Sequence, residues 1–170
     1  MTTIDMMPPQ RIVPAILNRE IDAVAIWEPY GANAAHALGD DAIEFGGDGI
    51  YRELFNLNAT AGALADPVRR REIVGLLREI IDVTAKLNRD PAEAQAAIAA
   101  SGGYTLEEIV RCWPHHDFVA GFADDMLDVL AREEIWLAGE EKRRARSREE
   151  LAPLIDRSVY AEALALRPAR

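Results

Sequence analysis

Apolar positions follow two different rhythms along this chain, and the change comes near residue 60. Ile12, Val13, Ile16 and Leu17 repeat at helical spacing after Pro8-Pro9, predicting a short helix that Pro14 weakens and Asn18 can end. Ile21-Asp22-Ala23-Val24-Ala25-Ile26-Trp27 is a nearly unbroken apolar run with β-branched residues. Such a run predicts a strand covered on both faces, as in parallel sheets, and Pro29, with no N–H to give a ladder, stops it. Gly31 to Leu38 is alanine-rich and predicts a helix that Gly39 closes. Ala42-Ile43-Glu44-Phe45 predicts a second short strand. Leu54 to Thr60 alternates, with Phe55, Leu57 and Ala59 on one face and Asn56, Asn58 and Thr60 on the other, which predicts a half-exposed third strand. Helix and strand in alternation point to an α/β layer with a parallel sheet.

Beyond Thr60 the chain reads as helix. Asp66 with Pro67 opens a long one, its apolar positions being Ile73, Leu76, Leu77, Ile80, Ile81, Thr84 and Leu87. Asp90, Pro91 and Glu93 open another, mostly alanine, that Gly102-Gly103 breaks. Its small residues require a close neighbour. Thr105 with Glu108 and Ser147 with Glu150 are capping boxes, because hydroxyl and carboxylate can satisfy each other's backbone N–H. The first box starts a helix that ends before Pro114. Phe118 to Phe122 reads as extended or irregular. Asp124 or Asp125 starts a helix carrying Met126, Leu127, Leu130, Ile135 and Leu137, and Ser158 is placed as the cap of the last. The domain reading is therefore an α/β segment over 1–60 and a helical segment over 61–170.

Composition narrows the classes. At 170 residues, with 49% hydrophobic residues, the chain can bury roughly 70% of its unfolded surface and needs no staples. A net charge of -10 and a pI near 4.8 argue against nucleic acid and against an anionic membrane surface as partners. Cys112 stands alone, so it forms no internal disulfide, and its neighbours Ile109, Val110 and Trp113 mark it as a buried, inert thiol. No signal peptide opens the chain, and no apolar run approaches a membrane span. On that reading the chain stays where it is made.

Chemistry-bearing groups are few. The adjacent acidic pairs, Asp40-Asp41, Asp124-Asp125, Glu133-Glu134 and Glu140-Glu141, read as solvated faces or caps, since neighbours on a helix point apart. His115-His116-Asp117 reads as a polar corner between helices, matching no zinc spacing. Gly46-Gly47-Asp48-Gly49 reads as a mobile turn rather than a phosphate cradle. No nucleophile elbow is present. Lys142 to Arg148 is a basic run, read as a solvated linker, with an anionic partner as the alternative. Trp27-Glu28-Pro29-Tyr30 is different. Ligands of open α/β proteins bind beyond the carboxyl ends of strands, and an indole and a phenol can form an apolar wall there with a polar handle. The same four residues could equally close off a core.

Pro8-Pro9, Asn18 to Ala23 and Trp27-Glu28-Pro29-Tyr30 resemble a segment of the solute-binding proteins of ABC importers. The branch is the nitrate/sulfonate/taurine/bicarbonate group, which includes thiamine-precursor binders. The resemblance continues through Tyr51 to Thr60, Asn88 to Ala94, the Trp113 to Phe118 corner and Leu151 to Leu164. Asn18-Arg19-Glu20 stands where that family carries a glycine turn. The resemblance implies part of a type II periplasmic-binding-protein fold: a small sheet of two to four strands with a predominantly helical C-terminal half. Residues 1–60 would correspond to the end of the second lobe plus a crossing strand, and 61–170 to the return to the first lobe, the N-terminal half being absent. It further implies a binding protein rather than an enzyme, without catalytic residues, cofactor or metal. Trp27, Glu28 and Tyr30 would line the solute cleft, with Asn56 and Asn58 on the crossing strand, around a small anionic or zwitterionic solute. Importer membrane subunits would be partners and the location extracytoplasmic, or cytoplasmic if this is the whole product. With so few strands, a homo-oligomer, a missing half or a non-binding helical interaction module is the other expectation.

Overall fold

A computed structural model of the chain describes residues 3–47, 49, 52 and 54–166. The described residues are 63% helical and contain no strand. It divides into two compact units: residues 1–56 with 89–117, and residues 57–88 with 118–170. The single change of rhythm after Thr60 marks only the first of these crossings.

In the first unit, α1 (Pro9–Leu17) buries Ile12 and Ala15 and packs on α2 (Tyr30–Leu38), which buries Ala32 and Ala34. Asn18 closes α1 by donating its backbone N–H to Pro14 O at 2.9 Å. Arg19 then turns the chain with φ 59°. That left-handed conformation costs a residue with a Cβ about 1–2 kcal/mol, a physical reason for glycine to be common at such a turn. Gly39, at φ 57°, ends α2 as predicted. Asp90 caps α5 (Pro91–Gly102), whose Ala99 is buried, and Gly103 at φ 72° stops it. The alanine face of α5 does find a close neighbour, α6 (Leu106–Cys112). Thr105 and Glu108 form the complete capping box, and α6 runs into a 3-10 turn over Trp113–His115. α6 also packs on α2.

In the second unit, α3 (Ala61–Ala65) is capped by Thr60 and α4 (Pro67–Arg89) by Asp66, whose Oδ1 accepts from Val68 and Arg69 N–H at 2.8 and 3.2 Å. A core forms where Val74 of α4 meets Val159 and Ala163 of α9 (Ser158–Ala165), with Leu64, Ile73, Leu77 and Ile81 around them. Ser158 is the first residue of α9 rather than its cap. Asp156 accepts from its N–H at 2.8 Å and takes over the capping role. Arg70 crosses from α4 to α9, donating to Glu162 at 2.5 Å and to Ser158 Oγ at 2.8 Å. Residues 118–122 are irregular, as expected. They are held by Tyr160, which donates to Ala120 O at 3.1 Å and meets Phe122 edge-on, while Arg157 stacks on Phe122 at 4.6 Å.

α7 (Met126–Glu140) is turned differently from its expected face. Val129, Glu134 and Ala138 are buried, while Ile135, Trp136 and Leu137 are exposed. The reason is Glu134. Its carboxylate accepts from both terminal nitrogens of Arg143, from Arg146 N–H at 2.8 Å and from Arg146 Nη2 at 2.8 Å. These donors hold it far below the usual carboxylate range. Arg144 pairs with Glu150 at 2.6 Å and Arg148 with Asp128. The basic run is, as expected, a mostly exposed linker between two helices, but it is not an unpaired one. It is a folded connection to α8 (Arg148–Leu151), capped by the Ser147–Glu150 box, and its guanidinium groups are matched by carboxylates of the same unit. Nor is the Glu133-Glu134 pair a solvated face, since its second member is 4% exposed.

The α/β expectation is overturned: the runs at 21–27, 42–45 and 54–60 lie outside every helix but pair into no ladder among the described residues. The 21–27 run is not covered on both faces, and only a local alternation of burial is left. Val24, Ile26 and Glu28 are half-buried, while Ala23, Ala25 and Trp27 face out. A strand, however, needs a second strand to take its hydrogen bonds, and periodicity cannot supply one. Phe45 and Phe55 are 89% and 90% exposed, not covered by a sheet partner. Asp48 of the glycine turn, and Tyr51 of the 51–60 resemblance, lie outside the described residues.

Much apolar surface is left uncovered. Leu76, Ile80 and Val83 form an exposed stripe along α4 at spacings of four and three, beside the face that carries Val74 and Leu77. The chain exposes 12909 Å², whereas two separate compact bodies of half its mass would together expose about 10,000 Å².

Candidate functional site

The Trp27-Glu28-Pro29-Tyr30 stretch joins an extended run to the first turn of α2 in the first unit. Pro29 is buried at the N-cap of α2, and the Glu28–Pro29 peptide is cis. Pro29 has no side-chain oxygen to offer the first N–H groups of the helix. Glu28, one residue earlier, supplies it: Oε2 accepts from Ala32 N–H at 2.9 Å. This is an N-terminal cap in function, with the carboxylate at the positive end of the helix. The other oxygen, Oε1, meets His115 Nδ1. A carboxylate only accepts, so Nδ1 carries the proton.

The aromatic neighbours flank this carboxylate in sequence. Trp27 is 64% exposed and Tyr30 half-buried. Their rings stand nearly perpendicular, at 86°, with centroids 6.5 Å apart. Edge-to-face packing of this kind covers at most one face of one ring, so indole surface is left available to a third body.

A polar ladder on the next turn of α2 fixes the floor of the corner. Asn33 Nδ2 donates to Glu108 Oε1 at 2.9 Å, and its Oδ1 accepts from Arg111 Nη1 at 2.8 Å. Arg111 donates in turn to Glu107 at 2.9 Å. The Thr105 N–H and hydroxyl and the Asn33 amide lower the pKa of Glu108. Cys112, close by on α6, is buried and donates to Ile109 O at 3.4 Å. Burial, then the charge of Glu28, pushes its thiol up, so the thiolate a nucleophile needs is scarce. His116 Nδ1 lies 2.9 Å from Cys112 O, so the two adjacent histidines do different work. Among the described residues no group of three His, Cys, Asp or Glu side chains is arranged to hold a metal ion, and no described helix is long and apolar enough to cross a membrane.

Of the sequence-predicted site residues, Trp27, Glu28 and Tyr30 come together. Asn56 and Asn58 lie on an exposed extended run, where Asn56 folds back to donate to Leu54 O at 3.2 Å. The division between the units falls between residues 56 and 57, so the two asparagines belong to different units. The residues the sequence did not tie to the corner are Asn33, Arg111 and above all His115. Its place in a His-His-Asp cluster was the one available signal, but its partner is 87 positions away. Comparison with protein-family models, with curated proteins and with solved structures finds no match for this chain.

Proposed function

We propose that this chain is the solute-binding component, or a part of one, of an ABC importer, and that it acts by binding a small charged solute rather than by catalysis. The sequence resemblance brings the candidate solutes: sulfonates, taurine, nitrate and thiamine precursors. The observation that carries the reading is the uncovered Trp27 indole, set against Tyr30 and reached from an extended run rather than closed off by core. Trp27 and Tyr30 form one wall of the cleft, and Glu28 holds the start of α2 that carries Tyr30. In this reading the importer's membrane subunits are the partners and the site of action is extracytoplasmic. The test is the thermal midpoint of the full chain against that solute set. A rise with at least one solute, lost in Trp27→Ala/Tyr30→Ala, supports the reading; no rise with any of them overturns it.

A specific observation favours a second reading, an interaction module without a solute. Exposed surface in excess of that of compact bodies, including the α4 stripe of Leu76, Ile80 and Val83, is characteristic of a surface built to be covered. Sedimentation velocity distinguishes the two: a stable oligomer combined with no solute response favours this second reading.

A further inference from the structure

The solute-binding reading leaves the sign of the solute's charge open, and the corner around Trp27 carries information on it. Resting on that reading, we infer that the group held at the Trp27–Tyr30 corner is a cation, an alkylammonium carried by a zwitterionic or cationic solute, and not an anionic headgroup.

Three observations converge. An anion held at such a place needs donors, and the donors at hand are the free N–H groups at the start of α2. The Glu28 carboxylate already occupies that position, accepting from Ala32 N–H at 2.9 Å, so an arriving sulfonate or nitrate would meet a negative charge instead of a vacant helix end. The cationic and imidazole groups of the facing α6 and its 3-10 turn are also engaged: Arg111 by Asn33 and Glu107, His115 by Glu28. Finally, the exposed feature is an indole face with a phenol standing at 86° to it, 6.5 Å away. Two perpendicular aromatic rings that flank a carboxylate in the chain match an ammonium group, whose charge is attracted by the ring quadrupole and whose methyl or methylene groups bury apolar area. The chain's net charge of -10 adds a field of the same preference.

The experiment uses the full chain and four probes: choline, its neutral isostere 3,3-dimethyl-1-butanol, taurine and methanesulfonate. Binding is measured by titration calorimetry in the wild type and in every variant, and is located in the wild type by the Trp27 indole resonance, assigned by its loss in Trp27→Phe. Choline and taurine are expected to shift the resonance saturably, and the neutral isostere and methanesulfonate are not. Trp27→Ala should weaken choline binding roughly fivefold to thirtyfold, with Trp27→Phe in between. Glu28→Gln keeps the acceptor for Ala32 N–H while removing the charge, so it should weaken choline without altering the circular dichroism spectrum. Tyr30→Phe, which keeps the ring, should leave choline binding nearly unchanged. Choline and its isostere binding equally would reduce the corner to an apolar patch and overturn the inference. Methanesulfonate binding as well as taurine would overturn it too, while leaving the solute-binding reading standing. If none of the four binds but another solute raises the thermal midpoint, the inference alone fails; if no solute of any class binds, both fail.

Discussion

Glu28 and His115, 87 positions apart in the chain, share a hydrogen bond that joins the first turn of α2 to the turn after α6. The same carboxylate caps α2 through Ala32 N–H. Two roles on one side chain make the variants separable. Glu28→Ala should cost about 1–2 kcal/mol, mostly the lost cap. Glu28→Gln should cost less. A double-mutant cycle with His115→Ala should return a coupling of about 0.5–1 kcal/mol, since the imidazole is partly exposed and water screens the pair. Urea unfolding measures all three, and a coupling indistinguishable from zero would dissolve the bridge.

The connection between α7 and α8 should respond to acid. Arg144 and the Ser147 N–H lower the pKa of Glu150 from 4.5 to about 2. A carboxylate with a depressed folded pKa contributes stability that is fully present above its unfolded value and is lost as pH falls through its folded one. The wild-type chain should therefore be more stable than Glu150→Gln at pH 7, and the difference should shrink as pH falls from 4.5 towards 2. A difference that stays constant over that window would show that the ion pair is not what Glu150 contributes.

Cys112 should be silent towards thiol reagents. It is buried, its thiol is pushed above its usual range, and its S–H is donated to Ile109 O. Ellman's reagent at pH 8 is expected to modify it only as fast as the chain opens, and at once in urea. Fast labelling of the native chain would place the thiol at the surface. Cys112→Ala should cost about 1 kcal/mol through the lost packing.

The legible parts of this chain were those that a few neighbouring residues decide. Thr105 with Glu108, Ser147 with Glu150, and Asp90 with Pro91 announced helix starts because both halves of each cap lie within one turn. Gly39 and Gly103 announced helix ends because each takes a positive φ. The strands failed for the opposite reason. Burial does alternate from Ala23 to Glu28, yet a strand is made by a partner that no local pattern names. Glu134 was misplaced on similar grounds: next to Glu133 it looks solvated, and only the folding back of Arg143 and Arg146 buries it. At the candidate site the aromatic pair was visible from the sequence, whereas the roles of His115, Asn33 and Arg111 depend on partners 75 or more residues distant.

Polar replacement of the α4 stripe offers a check on its exposure. Leu76→Gln and Val83→Gln together should leave unfolding midpoints within about 0.5 kcal/mol of wild type, because neither side chain faces the Val74 core. Binding of the dye ANS should fall. A large loss of stability would mean that the stripe is covered in solution, by another copy or by a segment packed on it.

Each unit is assembled from two separate stretches of sequence, and this sets an order of events during synthesis. The first 56 residues have no complete set of packing partners until residue 117 has left the ribosome. Roughly 60 residues at about 5–20 residues per second is a wait of several seconds. Throughout it, the half-covered run ending in Trp27 and the bare Phe45 and Phe55 are available to any nascent-chain chaperone that binds apolar extended peptide.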